Sequence, residues 1–564
     1  MQRLIECVPN FSEGRDPAVI QRITDAIEAT DGVRLLDVDP GRATNRTVVT
    51  FVGEPEAVLE AAVAGARVAA EVIDMSKHSG EHPRFGAMDV CPLVPVAGIT
   101  MEETIPYAHE LARRLGEEVG LSIYCYEHAA KTPERRNLAT VRAGEYEGLA
   151  ERVGTDPWKP DYGPATFNAK SGATAVGARN FLIAYNVNLN TTSVRRANEI
   201  ASRVREQGYT AREGDVPYGA VLRDADGKAI KKPGRLKCVK GIGWFIEEYG
   251  VAQISMNLTD ITVTAIHEAF DAVAEEAERI GVRVTGSELV GLLPLSALTD
   301  AGRHYLVKQR RSTGVSDAEL IKIAVKSMGL DELAPFDPAK RVIEYAIRDA
   351  GRTLLVDRTL RGFTEETASE SVAPGGGSVS AAVGALGAAL GAMVANLSSH
   401  KRSFEHDWER YSAWADRGKA CHDELLALVD RDTDAFNGIM AAVQLPKATE
   451  AEQAARAAAI EAATLDAIAI PYRTMEVSIE ALEVAKAMAE LGNPASASDA
   501  GVGALCARAA VRGAFLNVRI NLPDLADKAR AARFVTDGAA LVARAEALEA
   551  ETLGLVEKHL EAAS

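Results

Sequence analysis

The sequence predicts an α/β fold over about the first 325 residues and an all-α helical bundle over the rest. Patterns typical of strands and of helices alternate in the first region. Two prolines in the segment LAPFDP (333–338) then indicate a boundary, beyond which alanine dominates and β-branched residues become rare. A chain of 564 residues is also too long for a single hydrophobic core, so several domains are expected.

The first region consists of short apolar runs that predict strands and longer periodic segments that predict helices. Strands are predicted at 34–39, 47–52, 121–126, 181–187 and 251–257. Helices are predicted at 56–73, 108–119, 192–207 and 263–280. A turn-rich segment at 209–232 predicts a hairpin or flexible excursion. This alternation indicates two α/β units joined near residue 180.

The second region shows long helical patterns with few interruptions. Helices are predicted at 378–397, 408–443, 449–470, 471–491, 500–520 and 526–560. The uncharged run 379–399 raises the question of a membrane span. It consists largely of alanine and glycine, which contribute little free energy of transfer into lipid, so we expect no membrane span. A helix buried in the bundle or at a subunit contact is the better interpretation.

The net charge of −17 argues against general nucleic-acid binding, although a local basic groove for a small polyanion remains compatible with it. One such candidate is the run 231–240, which carries five cations; a solvated strand edge is its structural alternative. The six cysteines lie far apart and form no CxxC motif, which favours free thiols in a reducing compartment. The N-terminal residues show no secretory signal pattern. We therefore expect a cytoplasmic protein.

The densest set of proton-transfer groups is the segment 77–89, which holds two histidines, two carboxylates and two cations. Glycines and a proline interrupt it, so it cannot be a regular helix. Such a polar loop is typical of an acid–base site. The four-residue spacing of His78 and His82 leaves two alternatives, a metal site or a hydrogen-bonded structural pair. The absence of a third nearby ligand in the sequence disfavours the metal.

Two other loops in the first region carry polar groups near predicted strand ends. In the loop after the first strand, Asn10 or Ser12 is a candidate helix cap. The loop 39–46 carries Asp39 and Arg46. Because α/β proteins hold ligands at strand ends, these two residues are expected to join His82 in one site.

In the helical region, two segments carry chemistry. The segment 373–378 places three glycines before a helix start, where bare N–H groups bind a carboxylate or phosphate; a tight turn is the structural alternative. A second segment, 430–434, holds three aspartates within one helix, of which Asp430 and Asp434 share a face and Asp432 lies roughly opposite. A buried aspartate is a natural general acid or base, but residue patterns alone do not select among the three. Polar groups also interrupt another apolar helix at Asn517, Arg519 and Asn521.

Ten motifs in this chain resemble those of the formimidoyltransferase-cyclodeaminase family and follow its order. They are CVPNFSEG, LLDVD-x4-TNRTV, IDMS-x-H-x-GEHPR-x-GA-x-DVCP, RAGEYE, GAR-x-FLIA, PGRLK-x-V-x-GIGW, GS-x-LVGL-x-PL, APGGGSV, LVD-x-D and FLNVRINL. The resemblance covers nearly the whole chain, from about residue 3 to about residue 530. The segment 209–232 is longer than expected for vertebrate members, and the C-terminal helical residues past the last motif have no assigned role.

The resemblance implies a bifunctional folate enzyme of histidine degradation. The first half would move a formimino group from N-formimidoyl-L-glutamate to N5 of tetrahydrofolate, and the second would cyclise the product to 5,10-methenyltetrahydrofolate and release ammonia. It further implies two α/β sandwich-like formiminotransferase subdomains (1–180 and 181–327), a linker (328–340) and a helical cyclodeaminase domain (341–564). A homo-oligomer with dimer contacts in both halves, a polyglutamated folate and no metal are also implied.

The same resemblance assigns roles to particular residues. His82 matches the proton donor and acceptor of formimino transfer, and Asp432 matches the proton acceptor of the cyclodeaminase. We expect Asp39 to orient or tune His82, and Arg46 and Arg84 to bind glutamate carboxylates. The glycine-rich segment is expected to bind substrate through Gly375, Gly376, Gly377 and Ser378. The family's folate-binding stretch matches Gly163, Pro164, Ala165, Thr166, Phe167, Asn168, Ala169, Lys170, Ser171 and Gly172.

Two alternatives remain open from the sequence. Within the family, the chain could use N-formylglutamate, or its helical half could hydrolyse methenyl-folate, since methenyl-folate cyclohydrolases resemble that half. In a different class, the chain would be a folate-binding or scaffolding protein with inactive sites. The intact motifs around His82 and Asp432 argue against this last alternative.

Overall fold

The computed structural model describes residues 3–42, 45–80, 84–156, 158–216, 218–347 and 354–563, which fall into two compact units. The first unit comprises the described parts of 1–297 and 328–348, and it contains the β-sheets. The second comprises the described parts of 298–327 and 349–564, and its regular elements are helices. The prediction of an α/β region followed by an all-helical region is therefore confirmed.

Thirteen strands are assigned in the described residues, all of them in the first unit. They are β1 Leu4–Cys7, β2 Asn10–Phe11, β3 Val33–Gly41, β4 Arg46–Gly53, β5 Met88–Ala97, β6 Ser122–Glu127, β7 Ala173–Ala178, β8 Ile183–Leu189, β9 Tyr209–Thr210, β10 Lys231–Lys232, β11 Val239–Ile246, β12 Val251–Leu258 and β13 Val284–Val290.

The described residues also contain seventeen α-helices. They are α1 Pro17–Glu28, α2 Pro55–Val72, α3 Met101–Arg114, α4 Leu138–Val141, α5 Leu149–Arg152, α6 Val194–Val204, α7 Ile266–Arg279, α8 Leu295–Lys308, α9 Asp317–Met328, α10 Pro338–Arg341, α11 Ile343–Ala346, α12 Leu360–Thr367, α13 Gly376–Ser399, α14 Trp408–Gln444, α15 Glu450–Leu491, α16 Ala497–Asn521 and α17 Lys528–Ala563.

The first sheet has seven strands. Strands β1 and β2 lie one after the other between β4 and β5 and run antiparallel to both. Strand β3 extends the sheet beyond β4, while β7 and β6 continue it from β5 in parallel. Helix α2 packs on this sheet, and the fully buried Ile5, Phe51 and Leu93 belong to the core beneath it. Strand alternation therefore turns the remaining side chains of β1 and β4 to the opposite face.

The second sheet has four antiparallel strands in the order β11–β12–β8–β13. Helix α6 packs against β11 and β12. A Cβ at Gly243 would lie 2.4 Å from the Ala197 carbonyl carbon, so glycine allows this helix to approach closely. Lys240, at the next-but-two position and of opposite strand parity, is exposed on the uncovered face.

The turn-rich segment forms the predicted hairpin. Its two short strands pair antiparallel, with Tyr209 opposite Lys232 and Thr210 opposite Lys231. A smaller turn lies between them, where Asp224 accepts the backbone N–H of Asp226.

The small-residue helix α13 lies among α14, α15 and α16. It is long and apolar enough to cross a membrane, but 61% of its most apolar 18-residue window is buried inside the unit. Glycines bring the neighbouring helices close, since a Cβ at Gly387 would lie 2.7 Å from the Gly503 carbonyl oxygen. The prediction of a helix buried in a bundle is confirmed.

One predicted boundary in this unit is wrong. The segments 449–470 and 471–491 were expected as separate helices, but α15 runs through Pro471 without interruption. Proline has no N–H for the carbonyl oxygen four residues earlier, that of Ala467. Asn521 replaces the missing donor, with its Nδ2 at 3.1 Å from that oxygen. A side chain from another helix thus stabilises α15 where its own backbone cannot.

Candidate functional site

The first unit contains a cavity of about 980 Å³ that is lined by residues of both sheets. The uncovered face of the second sheet contributes Lys240 and Asn257, and the first contributes side chains from β1, β3, β4 and β5. The polar side chains lining it include Glu6, Asn10, Asp37, Asp39, Arg46, Thr50, Glu127, His128, Asn137, Arg142, Glu145, Arg179, Asn180, Lys240, Asn257, Thr259 and Asp260. Two of the predicted site residues, Asp39 and Arg46, therefore line one cavity.

Arg46 is held against the wall of this cavity by polar partners. Its Nε donates to Asn10 Oδ1 at 2.8 Å, and its Nη1 lies 3.8 Å from Asp89 Oδ2. Asp89 is almost fully buried and also pairs with the guanidinium of Arg142. Burial raises the pKa of Asp89, and the two guanidinium groups oppose that rise. The two cations at the cavity wall are thus fixed by one buried carboxylate.

Glu6 is a second buried carboxyl at the same cavity. It lies on β1 between Val52 and Val94 of the neighbouring strands. Burial raises the pKa of Glu6 to about 7, although the positive charge of Arg179 acts in the opposite direction. Both residues line the cavity, so it contains a group that changes its charge near neutral pH.

Asp39 lies on β3 opposite Val48 and faces the cavity together with Asp37. Burial raises the pKa of Asp37, and the nearby Asp39 carboxylate adds to the rise. This edge of the cavity is therefore acidic, in contrast to the wall formed by Arg46 and Arg142.

His82 lies outside the described residues, so its expected place beside Asp39 and Arg46 stays a prediction. The described ends of its loop are anchored. His78 Nε2 lies 2.8 Å from the backbone oxygen of Asn45, and Arg84 donates to the His78 carbonyl oxygen. Arg84 also pairs with Glu147 and lies over the Tyr146 ring, and it does not line the cavity.

The expected folate-binding stretch, 163–172, packs beside this loop. The Ser171 carbonyl oxygen accepts the Ala87 N–H at 2.9 Å, and the Lys170 carbonyl oxygen accepts the Met75 N–H at 2.9 Å. The Asn168 side chain accepts from the backbone of the next two residues but one and closes a tight turn. None of these ten residues lines the 980 Å³ cavity. Their role in folate binding stays a prediction.

The hairpin 209–232 borders a separate cavity of about 360 Å³. The buried Arg203 pairs there with Asp215 and lies 4.3 Å from the centre of the Tyr209 ring. The two cavities share no lining residue. The hairpin is thus held to α6 rather than to the wall of the larger cavity.

The second unit has its own cavity, of about 200 Å³, at the start of α13. Ser378 donates from its backbone N–H (2.8 Å) and its hydroxyl (3.0 Å) to Asp432 Oδ2. Burial raises the pKa of Asp432, and the Ser378 hydrogen bonds oppose that rise. The lining residues are Val372, Ala373, Gly375, Gly376, Gly377, Asp432, Thr433, Phe436, Ile439, Ala467, Asn517, Ile520 and Asn521.

The geometry distinguishes the three aspartates that residue patterns left equivalent. Asp430 caps the 3₁₀ turn at Leu355–Asp357, since its Oδ1 accepts the Leu355 N–H at 2.7 Å. Of the three, Asp432 alone lines the 200 Å³ cavity. It is the candidate acid–base group of this unit.

Glycine is required beside this aspartate. A Cβ at Gly377 would lie within 2.6 Å of Asp432 Oδ2, and one at Gly376 would lie 3.2 Å from Asn517 Nδ2. The glycine-rich segment therefore brings the start of α13 against both side chains, and its predicted place in a site is supported by the cavity it lines.

Some site residues were not found from the sequence, and one assignment was wrong. Glu6 and Arg142 were missed; the charge in the apolar run LIEC was the available signal for Glu6. Asn10 and Ser12 do not cap α1, whose N-cap is Asp16. The Ser12 hydroxyl instead donates to the Gly86 carbonyl oxygen. In the part of the chain that the structure describes, three or more His, Cys, Asp or Glu residues nowhere cluster as a metal site.

Three family descriptions match successive parts of the chain. "Formiminotransferase domain, N-terminal subdomain" matches residues 4–179. "Formiminotransferase domain" matches residues 184–348. "Formiminotransferase-cyclodeaminase" matches residues 359–538.

Individual proteins are similar over long stretches. The chain is 44% identical to a formimidoyltransferase-cyclodeaminase of Gallus gallus over 570 residues, which cover 99% of both chains. It is 44% identical to a glutamate formimidoyltransferase of Thermoplasma acidophilum over 305 residues, 54% of this chain and 92% of the relative. It is 36% identical to a methenyltetrahydrofolate cyclohydrolase of Methylorubrum extorquens over 192 residues, 34% of this chain and 92% of the relative.

Proposed function

This chain belongs to the formimidoyltransferase-cyclodeaminase family, and from that membership we propose that it is a bifunctional folate enzyme. It transfers the formimino group of N-formimidoyl-L-glutamate to N5 of tetrahydrofolate. It then cyclises 5-formimidoyltetrahydrofolate to 5,10-methenyltetrahydrofolate and releases ammonia. The observation that carries this proposal is one polar cavity in each unit, because two different reactions need two separate sites.

The transfer step belongs to the α/β unit. N5 attacks the formimino carbon, the bond from that carbon to the glutamate nitrogen breaks, N5 loses a proton and the departing amine gains one. An imidazole titrates near neutral pH and can carry both protons, so His82 is the proposed donor and acceptor. Asp39 would orient or tune it, while Arg46 and Arg84 would bind the glutamate carboxylates. The place of Arg46 at the cavity wall supports its part in this assignment.

The cyclisation belongs to the helical unit. N10 attacks the formimino carbon and loses its proton, and the bond from that carbon to the formimino nitrogen breaks as ammonia departs. Asp432 would take the proton from N10 and return it to the leaving nitrogen. A carboxyl whose pKa is raised by burial is a better proton acceptor than an exposed one, which supports this role.

The functional division follows the domains expected from the motifs: transferase subdomains at 1–180 and 181–327, a linker at 328–340 and a cyclodeaminase domain at 341–564. Folate would bind between the two α/β sheets, with 163–172 as part of its site and 375–378 binding it in the helical unit. A polyglutamate tail suits the exposed cations of the run 231–240, of which Lys240 lines the larger cavity.

The assembly is proposed to be a homo-oligomer with dimer contacts in both halves. Exposed apolar side chains support a contact on each unit. They are Ile242, Trp244 and Phe245 on β11, and Leu386 and Leu397 on α13 with Leu516 on α16. Surfaces of this kind are typical of subunit contacts. The free state of all six cysteines supports the proposed cytoplasmic location.

A direct assay tests the function. Purified protein is mixed with tetrahydrofolate and formiminoglutamate, and methenyl-folate absorbance and ammonia are followed together. We expect both products in equal amounts. Turnover of N-formylglutamate without any signal from formiminoglutamate would contradict the proposal.

Two substitutions test the separation of the sites. His82→Ala is expected to abolish transfer and to leave the cyclisation of supplied 5-formimidoyltetrahydrofolate. Asp432→Ala is expected to do the reverse, with Asp430→Ala as its matched control for cyclisation. Loss of both activities from either change, in a protein that keeps its helicity, would show that the two sites are not independent.

The similarity to the Methylorubrum cyclohydrolase favours a second candidate activity of the helical unit, hydrolysis of methenyl-folate. In that reaction water replaces ammonia as the attacking group. Methenyl-folate incubated with the enzyme in ammonia-free buffer tests it, and decay of absorbance no faster than in Asp432→Ala would exclude it.

A further inference from the structure

The 200 Å³ cavity of the helical unit contains two asparagines whose carboxamides have fixed orientations. Asn517 Nδ2 donates to the Gly513 carbonyl oxygen at 2.9 Å. Asn521 Nδ2 donates to the carbonyl oxygens of Ala467 and Asn517, each at 3.1 Å. A carbonyl oxygen only accepts, so the nitrogen of each amide must be the atom that faces it. The orientation of both amides is therefore determined by their partners.

This leaves both amide oxygens as acceptors. Among the described residues, no donor is hydrogen-bonded to Oδ1 of Asn517 or of Asn521. Asp432 shows the same pattern, since both donors from Ser378 go to its Oδ2 and not to its Oδ1. Three side chains that line one cavity thus each keep an oxygen for a ligand that donates hydrogen bonds.

The orientation of Asn521 has its cause in another helix. Pro471 deprives the Ala467 carbonyl oxygen of its usual donor, and Asn521 Nδ2 supplies the replacement. Turning this amide over would place two oxygens against each other and would leave a carbonyl without a donor. The proline in α15 thereby fixes which atom Asn521 offers to the cavity.

The cavity wall lacks cationic side chains, and its acceptors suit a group rich in N–H bonds. The formimino nitrogen of 5-formimidoyltetrahydrofolate is such a group, because it carries N–H bonds throughout the reaction and leaves with three. A formyl oxygen at the same place would have no hydrogen to donate and would face acceptor oxygens. Sites that hydrogen-bond one substrate group discriminate strongly against an analogue that lacks it.

We propose that the amide oxygens of Asn517 and Asn521, together with the Asp432 carboxylate, form a leaving-group site that binds the formimino nitrogen and holds it as it departs as ammonia. This inference rests on the proposed cyclodeaminase function of the helical unit. N10 bonds to the formimino carbon, the bond from that carbon to the bound nitrogen breaks, and the N10 proton passes through Asp432 to the departing nitrogen. The two asparagines then favour an ammonia leaving group over water or a formyl oxygen.

The reverse reaction tests this directly, because ammonia must then enter the site from solution. Methenyl-folate and ammonium chloride are supplied to the full-length enzyme, and the Michaelis constants for ammonia and for methenyl-folate are measured separately. Asn517→Leu removes the acceptor at nearly constant volume. Asn521→Leu would also leave Ala467 without its donor, so Asn517→Leu is the primary variant.

We expect Asn517→Leu to raise the Michaelis constant for ammonia about 10- to 100-fold, the effect of losing a hydrogen bond to a charged group. The constant for methenyl-folate should stay within about twofold. Arg512→Gln, at an exposed position of α16 outside the cavity lining, serves as the matched control and should change neither constant.

Three results would overturn the inference: unchanged constants for both substrates, equal increases in both, or an increase for methenyl-folate alone. Transferase activity and helicity of the variant verify that it is folded. If the unsubstituted enzyme forms no methenyl-folate from 5-formimidoyltetrahydrofolate, the proposed function itself fails. An active enzyme whose Asn517→Leu variant keeps its ammonia constant refutes the leaving-group site alone.

Discussion

Ser378 donates two hydrogen bonds to one oxygen of Asp432, from its backbone N–H at 2.8 Å and from its hydroxyl at 3.0 Å. The backbone bond comes from the first turn of α13, where N–H groups have no partner within the helix. Asp432 thus satisfies an orphan donor of one helix while it is carried by another. Burial and these bonds act on its pKa in opposite directions.

Ser378→Ala removes the hydroxyl and keeps the backbone bond. The pKa of Asp432 should therefore rise further, because one of the two bonds that favour the carboxylate is lost. A proton acceptor must be ionised, so the acidic limb of the pH profile for cyclisation should move to higher pH. Steady-state kinetics across the pH range measure this.

Ser380→Ala is the matched control, because the Ser380 hydroxyl donates to the Gly376 carbonyl oxygen of its own helix. Its acidic limb should coincide with that of the unsubstituted enzyme. An acidic limb in Ser378→Ala that is unmoved, or moved to lower pH, would contradict the assignment of Asp432 as the proton acceptor.

Gly377→Ala is expected to lower the rate of cyclisation by about 100-fold, because its Cβ would displace the Asp432 carboxylate and misplacement by about 1 Å has an effect of this size. Gly438→Ala on α14 is the control, since an added Cβ there meets no atom within 4 Å. Cyclisation of 5-formimidoyltetrahydrofolate is measured for both. Equal rates in the two variants would refute the need for glycine at position 377.

Local patterns predicted the fold classes and most elements well, because periodicity is carried by adjacent residues. The predicted helix 408–443 corresponds to α14, Trp408–Gln444, and the predicted strand 251–257 to β12, Val251–Leu258. The break at Pro471 was wrong for a physical reason. The donor that compensates for the proline belongs to Asn521, fifty residues away, and no local pattern contains it.

The site residues divide in the same way. Asp39 and Arg46 were predicted because loops at strand ends hold ligands, and both line the larger cavity. Arg142 was missed because its importance comes from the buried Asp89, which lies on a distant strand. Among the three clustered aspartates, burial and the cavity single out Asp432, and neither is visible in a helical spacing.

Arg142→Met should destabilise the α/β unit by about 3–5 kcal/mol, the effect of removing one partner of a buried ion pair. Asp89 is almost fully buried, and the remaining cation, Arg46, lies 3.8 Å away. Urea unfolding followed by tryptophan fluorescence measures the loss. Arg113→Met, which breaks only exposed ion pairs, should cost about 1 kcal/mol or less. Equal losses for the two variants would show that Asp89 tolerates isolation.

Glu6→Gln should stabilise the α/β unit at pH 8 and have little effect at pH 4.5. Burial raises the pKa of Glu6 from 4.5 to about 7, so the folded state favours the protonated form. Below pH 4.5 the carboxyl is protonated in both states and carries no penalty. As the pH rises through 7 the folded state acquires the full penalty, about 3 kcal/mol, which glutamine does not carry.

Unfolding midpoints in urea at pH 5 and pH 8 test the Glu6 prediction, with Glu28→Gln at an exposed position of α1 as the control. The gain in stability of Glu6→Gln should grow between the two pH values, while that of Glu28→Gln should not. Destabilisation of Glu6→Gln at pH 8 would mean that attraction to Arg179 outweighs burial. In that case the carboxylate would be a fixed anion of the cavity wall, and the cavity would lose its group that changes charge near neutral pH.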